Sequence, residues 1–165
     1  KDGLTISNGR TSKGVGGGMC QFTNLIHWMV LHTPLEIVEH HHHDRFDLFP
    51  DCGRKVPFGT GTSIMYNYLD YRFKNVTSQP WQIIVWVDDK YLHGEIRTTI
   101  PLNVKYHIHA EGDRFVKEED GYYRVGMVIR SCIDKADGRV ISSEVIRENH
   151  AKVMYEIDET RLAQS

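Results

Sequence analysis

A chain of 165 residues with 40% hydrophobic content is long enough to bury one substantial core and too short for two comfortable ones. Its 20 basic and 22 acidic residues are spread along the chain for a net charge of −2, so there is no basic stripe to track a phosphate backbone, and nucleic acid is excluded as an expected partner. No apolar run approaches the ~20 residues of a membrane-spanning helix, and the opening KDGLTISNGR lacks the hydrophobic block of a secretory signal.

The first residue is Lys1 rather than a methionine, which leads us to expect the C-terminal part of a longer protein, with the region upstream free to carry an anchor or another module. Residues 11 to 18 read as a Gly/Ser/Lys loop. From Met19, apolar side chains recur at Phe22, Leu25, Ile26, Met29 and Val30, the spacing of one helical face. Pro34 ends that helix, because proline disfavours helical geometry in the residue before it and donates no backbone hydrogen bond. The spacing therefore predicts a helix of about 13 residues.

After the proline, LEIVEH reads as a short strand and DRFDLFPDCGRKVPFGTG as a long loop. In YLDYRFKN, Leu69, Tyr71 and Phe73 alternate with Asp70, Arg72 and Lys74, the signature of a half-buried strand. WQIIVWV and YLHGEIRT flank Asp88-Asp89-Lys90 as a hairpin. Val104, Tyr106 and Ile108 alternate with Lys105, His107 and His109, and Asp137-Gly138 marks a tight turn between the last two strands. One main N-terminal helix packed on seven or so mostly antiparallel strands predicts a single α+β domain over residues 1–165, with a motif region at 1–76 and a β-rich part at 77–165.

Three features carry chemistry. Cys20 falls in the first turn of the predicted helix, where open N–H groups and the helix dipole favour a negative charge on sulfur and on an attacked carbonyl oxygen. Gly16, Gly17 and Gly18 precede it. They match neither the dinucleotide-binding spacing, since Met19 stands where a third glycine is needed, nor a phosphate-cradling loop, since Gly-Met-Cys replaces Gly-Lys-Ser/Thr. That leaves a loop open to another chain's backbone, or a plain connection. The run His40, His41, His42, His43 is internal and reads as native. The order helix cysteine, histidine, then Asp70 on a strand is similar to that of transglutaminase-like and papain-like hydrolases. Against this stands the bland account: a cysteine serving as a small buried hydrophobe, a solvated histidine loop, and Asp70 screened beside Arg72. Zinc or another transition ion is a rival use of the histidines. Alternate members of an extended run share a side, however, so only two such as His41 and His43 could converge, and no signature spacing supports a site. The odd cysteine count, Cys20, Cys52 and Cys132, gives neither a disulfide framework nor a zinc knuckle.

The stretch GGGMCQFTNLIHWMVLHTPLEIVE, the histidine-containing loop after it, and LDYRFKN resemble the VanW family, densely from about residue 2 to residue 76 and more loosely beyond. The family pattern of a glycine triplet, a hydrophobic residue, Cys-Gln and a helix leading to a Leu-x-Ile-x-Glu strand appears here as Gly16 to Gln21 and Leu35 to Glu39. Where the family strand ends Glu-Arg-His-x-His-Ser, this chain has His40 for the arginine and Asp44 for the serine. The histidines carry over onto His41 and, more firmly, His43. The family's Asp-Leu-x-Phe-x-Asn strand is met from Asp70 to Asn75. The resemblance implies an accessory bacterial protein of gene clusters that remodel the cell-wall stem peptide against vancomycin-type antibiotics, cytoplasmic or associated with the envelope. It strengthens the reading of Cys20.

Together these readings give the expectation of a cysteine-dependent acyl-transfer or amidase domain acting on a cell-wall peptide without a cofactor. Cys20 would attack, His43 would be the base and Asp70 would orient it. Gly16, Gly17, Gly18, Gln21 and His41 would hold the substrate. A non-catalytic module binding a wall peptide, the antibiotic or a protein partner is the alternative, and a metal site on the histidines the third reading.

Overall fold

The computed structural model describes residues 2–7, 10–15, 18–42, 45–51, 53, 55–157 and 162. The helix forms where the apolar spacing puts it: α1 spans Met19–Leu31, 13 residues, with Thr23, His27, Met29, Val30 and Leu31 buried. The strands are β1 (Asp2–Ser7), β2 (Arg10–Val15), β3 (Glu36–Glu39), β4 (Phe46–Asp47), β5 (Arg72–Lys74), β6 (Trp81–Val87), β7 (Leu92–Thr98), β8 (Val104–Glu118), β9 (Gly121–Asp134) and β10 (Val140–Val153).

The α+β expectation, with one main helix packed on an antiparallel sheet in a transglutaminase- or papain-like order, is overturned. The fold is mostly β, 50% strand against 9% helix, and its principal sheet is mixed. Strands β8, β9 and β10, of 15, 14 and 14 residues, outweigh α1. They form a four-stranded sheet of order β4-β10-β9-β8, in which β4 runs parallel to β10 and the other pairs are antiparallel. Three separate two-stranded antiparallel ladders, β1-β2, β3-β5 and β6-β7, complete the strands among the described residues. The stretch 11 to 18, read as loop, instead supplies β2, which pairs with β1 from Asp2↔Val15 to Ser7↔Arg10.

A small core holds the helix to the sheet. Leu31 from α1, Ile108 from β8 and Val128 from β9 are buried together, with Trp28, Ile37, Tyr106 and Ile146 packed around them. α1 also packs on β7, where Gly94 leaves room for the helix: a Cβ there would lie 2.8 Å from Met29 Sδ and 3.0 Å from Leu25 Cδ2. The C-terminal half of α1 is thus fixed by sheet packing. Its N-terminal half is left facing the loops that follow β3 and β4.

Candidate functional site at the helix start

Gly18 is the residue before the first helical turn, with φ 90°, and a side chain there would meet nothing within 4 Å. The requirement for glycine is therefore conformational. The Phe22 N–H donates to Gly18 O at 3.1 Å, and the amides of Met19, Cys20 and Gln21 have no carbonyl within the helix to bond. No acidic side chain occupies that turn. Cys20 is half-buried in it, and Gln21 is exposed.

Cys20 opens on a cavity of about 300 Å³. Asn24, one turn along α1, and His42 line it, with Phe46, Phe49 and Phe58 as an aromatic wall and Thr62 and Ser63 as a polar one. The polar wall is stitched in place on both sides. The Thr62 N–H donates to Asn24 Oδ1 at 2.7 Å, the Ser63 N–H donates to His41 O at 2.7 Å, and His40 Nε2 lies 3.1 Å from Gly61 O. The hydroxyls of Thr62 and Ser63 are buried and, among the described residues, without a hydrogen-bond partner. Unmatched buried hydroxyls cost stability.

Behind His42 lies a column of imidazoles. His40 and His42 meet edge-on with ring centroids 4.0 Å apart, and His27 stacks on His40 at 4.1 Å with an interplanar angle of 28°. His27 is 2% exposed, and its Nδ1 is 3.0 Å from Tyr71 Oη. Burial first, then the neighbouring His40 and His42, lowers the His27 pKa to about 3, so this ring is neutral at physiological pH. Burial also raises the Tyr71 pKa, which keeps its hydroxyl protonated.

Alternation along the extended histidine run sends His41 the other way. His41 Nε2 donates to Glu39 Oε1 at 2.9 Å. That bond, followed by those from Arg72 and the Asp70 backbone N–H, holds the Glu39 carboxyl below its ordinary range. Asp70 is exposed and lines a different groove of about 630 Å³, together with Met19, Phe22, Glu39 and Tyr68, on another face of α1. The structure thus brings Cys20 together with His42 and sets Asp70 and Glu39 in a separate groove. Gly16, Gly17, His43, Asp44 and Cys52 lie outside the described residues. Among the described residues, no three histidine, cysteine or carboxylate side chains gather as a metal ion would require.

His27, Asn24, Thr62 and Ser63 were not singled out from the sequence, and within the histidine run the roles were given to His41 and His43 rather than to His42. One signal for the first two was available: Cys20, Asn24 and His27 fall at i, i+4 and i+7, a single helical face. Nothing local marks Thr62 and Ser63.

This glycine-led cysteine helix and the histidine run after it fall inside residues 1–97, which match the family model described as VanW like protein. The chain belongs to the VanW family. It is 31% identical over 160 residues to the Vancomycin B-type resistance protein VanW of Enterococcus faecalis, a match covering 97% of this chain and 58% of that protein. It is also 32% identical over 80 residues to the uncharacterized protein YoaR of Bacillus subtilis, covering 48% of this chain and 24% of that protein. This VanW-family chain therefore spans less than two thirds of the length of either relative. No solved structure matches it. Among its described residues no helix is long and apolar enough to cross a membrane.

Proposed function

We propose that this VanW-family domain serves bacterial glycopeptide resistance as a thiol-dependent acyl-transfer or amide-cleaving module acting on a cell-wall peptide. The observation that carries the reading is the cavity shared by Cys20 and His42 at an uncapped helix start. Cys20 Sγ attacks the peptide carbonyl while a histidine of the 40–43 run, His42 or its neighbour His43, takes the thiol proton. The first-turn amides receive the oxyanion. Collapse of the adduct breaks the C–N bond, the histidine returns the proton to the leaving amine, and a thioester on Cys20 remains. Water or a second amine then attacks the thioester and loses its proton to the histidine, freeing the thiol. In this reading Gly16, Gly17, Gly18 and Gln21 admit the substrate backbone, and Thr62 and Ser63 form part of the cavity wall.

The test is intact-protein mass spectrometry of the domain incubated with synthetic stem peptides, paired with glycopeptide susceptibility of cells carrying the wild-type or Cys20→Ala gene. An acyl mass on Cys20 that vanishes in the variant, with resistance lost, is the expected result. Full resistance with Cys20→Ala would sink the reading.

A second reading, a non-catalytic module holding a wall peptide, the antibiotic or a protein in the same cavity, draws on a specific observation. Among the described residues no histidine hydrogen-bonds Cys20, whereas Phe46, Phe49 and Phe58 give the cavity an apolar wall. It predicts peptide affinity unchanged by Cys20→Ser and no acyl adduct on the wild-type protein.

A further inference from the structure

The groove that holds Glu39 and Asp70 has a composition of its own. Met19, Phe22 and Ile26 line it from α1, at i, i+3 and i+7, so a single helical face forms one side of it. The turn from Met65 to Leu69 lines it as well. Backbone bonds close that turn: the Met65 N–H donates to Leu69 O at 3.0 Å, and the N–H groups of Tyr68 and Leu69 both donate to Met65 O at 2.9 Å. Asn67 at its tip takes φ 62°, a left-handed conformation that asparagine tolerates. The backbone is thus held while the rings it carries stand in water, Tyr66 90% and Tyr68 80% exposed. Met19, Phe22 and Met65 are exposed too, so apolar surface is gathered on this one groove, as at a binding site.

The charged lining is of one sign. Glu39 and Asp70 are there, and no described lysine, arginine or histidine lines the groove. The two acids lie together, because the Asp70 backbone N–H donates to the Glu39 carboxylate. Glu39 is already engaged by His41 at 2.9 Å and by Arg72 at 3.4 Å. The exposed Asp70 carboxylate has no partner among the described residues.

We propose that this groove binds an ammonium group on an apolar stem, the side chain of a lysine-type residue in a peptide: Asp70 pairs with the ammonium, the Tyr66 and Tyr68 rings flank it, and the Met19, Phe22 and Ile26 face of α1 packs along the stem. A cation is drawn to the face of an aromatic ring by the ring quadrupole, and more strongly as water is displaced. The methionines adapt to an alkyl chain of irregular course. A neutral apolar ligand would leave Asp70 with nothing to bond, and an anion would meet two carboxylates. A saccharide would use the rings and Asp70 but not the aliphatic helix face. This groove is separate from the Cys20 cavity, so the inference does not depend on the reactivity of that thiol.

The test is methyl NMR of the full chain labelled at its five methionines and titrated with the blocked tripeptide acetyl-Ala-Lys-Ala-amide. The Met19 and Met65 methyls should shift and saturate with a Kd on the order of 1 mM, as one ion contact with aromatic support allows. Met127 and Met154, exposed elsewhere, should not move. The analogue with norleucine for lysine keeps the stem and loses the charge, and should bind at least about tenfold more weakly. Asp70→Asn should weaken the lysine peptide about tenfold, and Tyr66→Ala with Tyr68→Ala about fivefold. Glu148→Gln, which removes an exposed acid of β10, should leave affinity within about twofold. Asp70, Tyr66 and Tyr68 are all exposed, so these variants keep the fold. Equal affinity for the lysine and norleucine peptides, or lysine-peptide binding that Asp70→Asn leaves unchanged, overturns the inference. So does the absence of any shift at Met19 and Met65 with peptide at about 10 mM. An oligomer of N-acetylglucosamine that moves both methyls when the lysine peptide does not also overturns it, and would assign the groove to a saccharide.

Discussion

Arg130, at the middle of β9, reaches the turn after α1 and donates from Nη2 to Thr33 O at 2.6 Å. Its Nε donates to Leu31 O at 2.8 Å, and its guanidinium lies over the Tyr106 ring at 4.1 Å. Leu31 and Thr33 are 2% and 1% exposed, so their carbonyls have little access to water. Arg130→Met removes both of these bonds, along with an exposed one to Glu144, and strands two buried acceptors, which costs about 3 kcal/mol in urea unfolding. Glu144, which bonds the Nη1 of the same arginine but is well exposed, should matter little when changed to Gln.

Two glycines separate close packing of side chains from close packing of backbone. At Gly94 an added methyl meets the tips of Met29 and Leu25, which can turn aside. At Gly126 it meets Asp113 N and Cα at 2.9 and 2.8 Å, beside the irregularity between Glu111 and Arg114, and φ is +149°. Gly94→Ala should cost about 1 kcal/mol and Gly126→Ala at least twice that, because neither its clash nor its dihedral can relax locally. Thermal unfolding of the two variants gives the ranking, and equal costs would show that β9 has more freedom there than its packing implies.

Local rules captured α1 closely, since Gly18 and Pro34 bracket an apolar period that nothing downstream contradicts. They also captured the alternation of Val104, Tyr106 and Ile108. The balance between helix and sheet was not legible. The ladders of β8 to β10 run on through register shifts at 111–114, 140–142 and 145–147, where the period-2 pattern breaks and each strand looks shorter than it is. The β1-β2 hairpin was hidden differently: Arg10 to Val15 has almost no apolar alternation, although Asn8-Gly9 is a hairpin dipeptide. At the candidate site, the sequence named Cys20 and the histidine run. Which rings face the cysteine depends on the side of an extended segment, and residues 61 to 63 reach the cavity only by pairing with Asn24, His40 and His41.

Arg124 binds three carboxylates at once: Asp113 at 2.6 Å, Asp51 at 2.8 Å and Asp47 at 3.6 Å. Burial alone would lower its pKa, yet the bonds to Asp113 and Asp51 carry it above its ordinary value. Asp47 is 2% exposed and also accepts from Tyr155 Oη at 2.8 Å. Arg124→Met removes the guanidinium from this cluster of acids and should cost about 3 to 5 kcal/mol, loosening the segment that carries Phe46 and Phe49 to the cavity wall. Lys152→Met, which breaks an exposed pair with Asp120, should leave the unfolding midpoint nearly unchanged. A similar loss in both variants would mean that burial adds nothing to the Arg124 cluster.

His27 makes stability depend on pH with a definite sign. Unfolded, the imidazole binds a proton below about 6.5; folded, burial and then His40 and His42 hold it neutral down to about 3. Between these values the unfolded chain carries the extra proton, so stability rises with pH through this window, is fully present above 6.5, and is lost as the pH falls towards 3. At ~1.4 kcal/mol per pH unit, the contribution amounts to about 3 kcal/mol by pH 4. His27→Phe removes the titrating group along with its bond to Tyr71. The variant should therefore be about 1 kcal/mol less stable than wild type at pH 7, from the lost hydrogen bond, and the more stable of the two at pH 4. Urea unfolding of both proteins at the two pH values reads the crossover directly. A gap of the same size and sign at pH 7 and pH 4 would mean that His27 is protonated in the folded protein no less readily than in the unfolded chain.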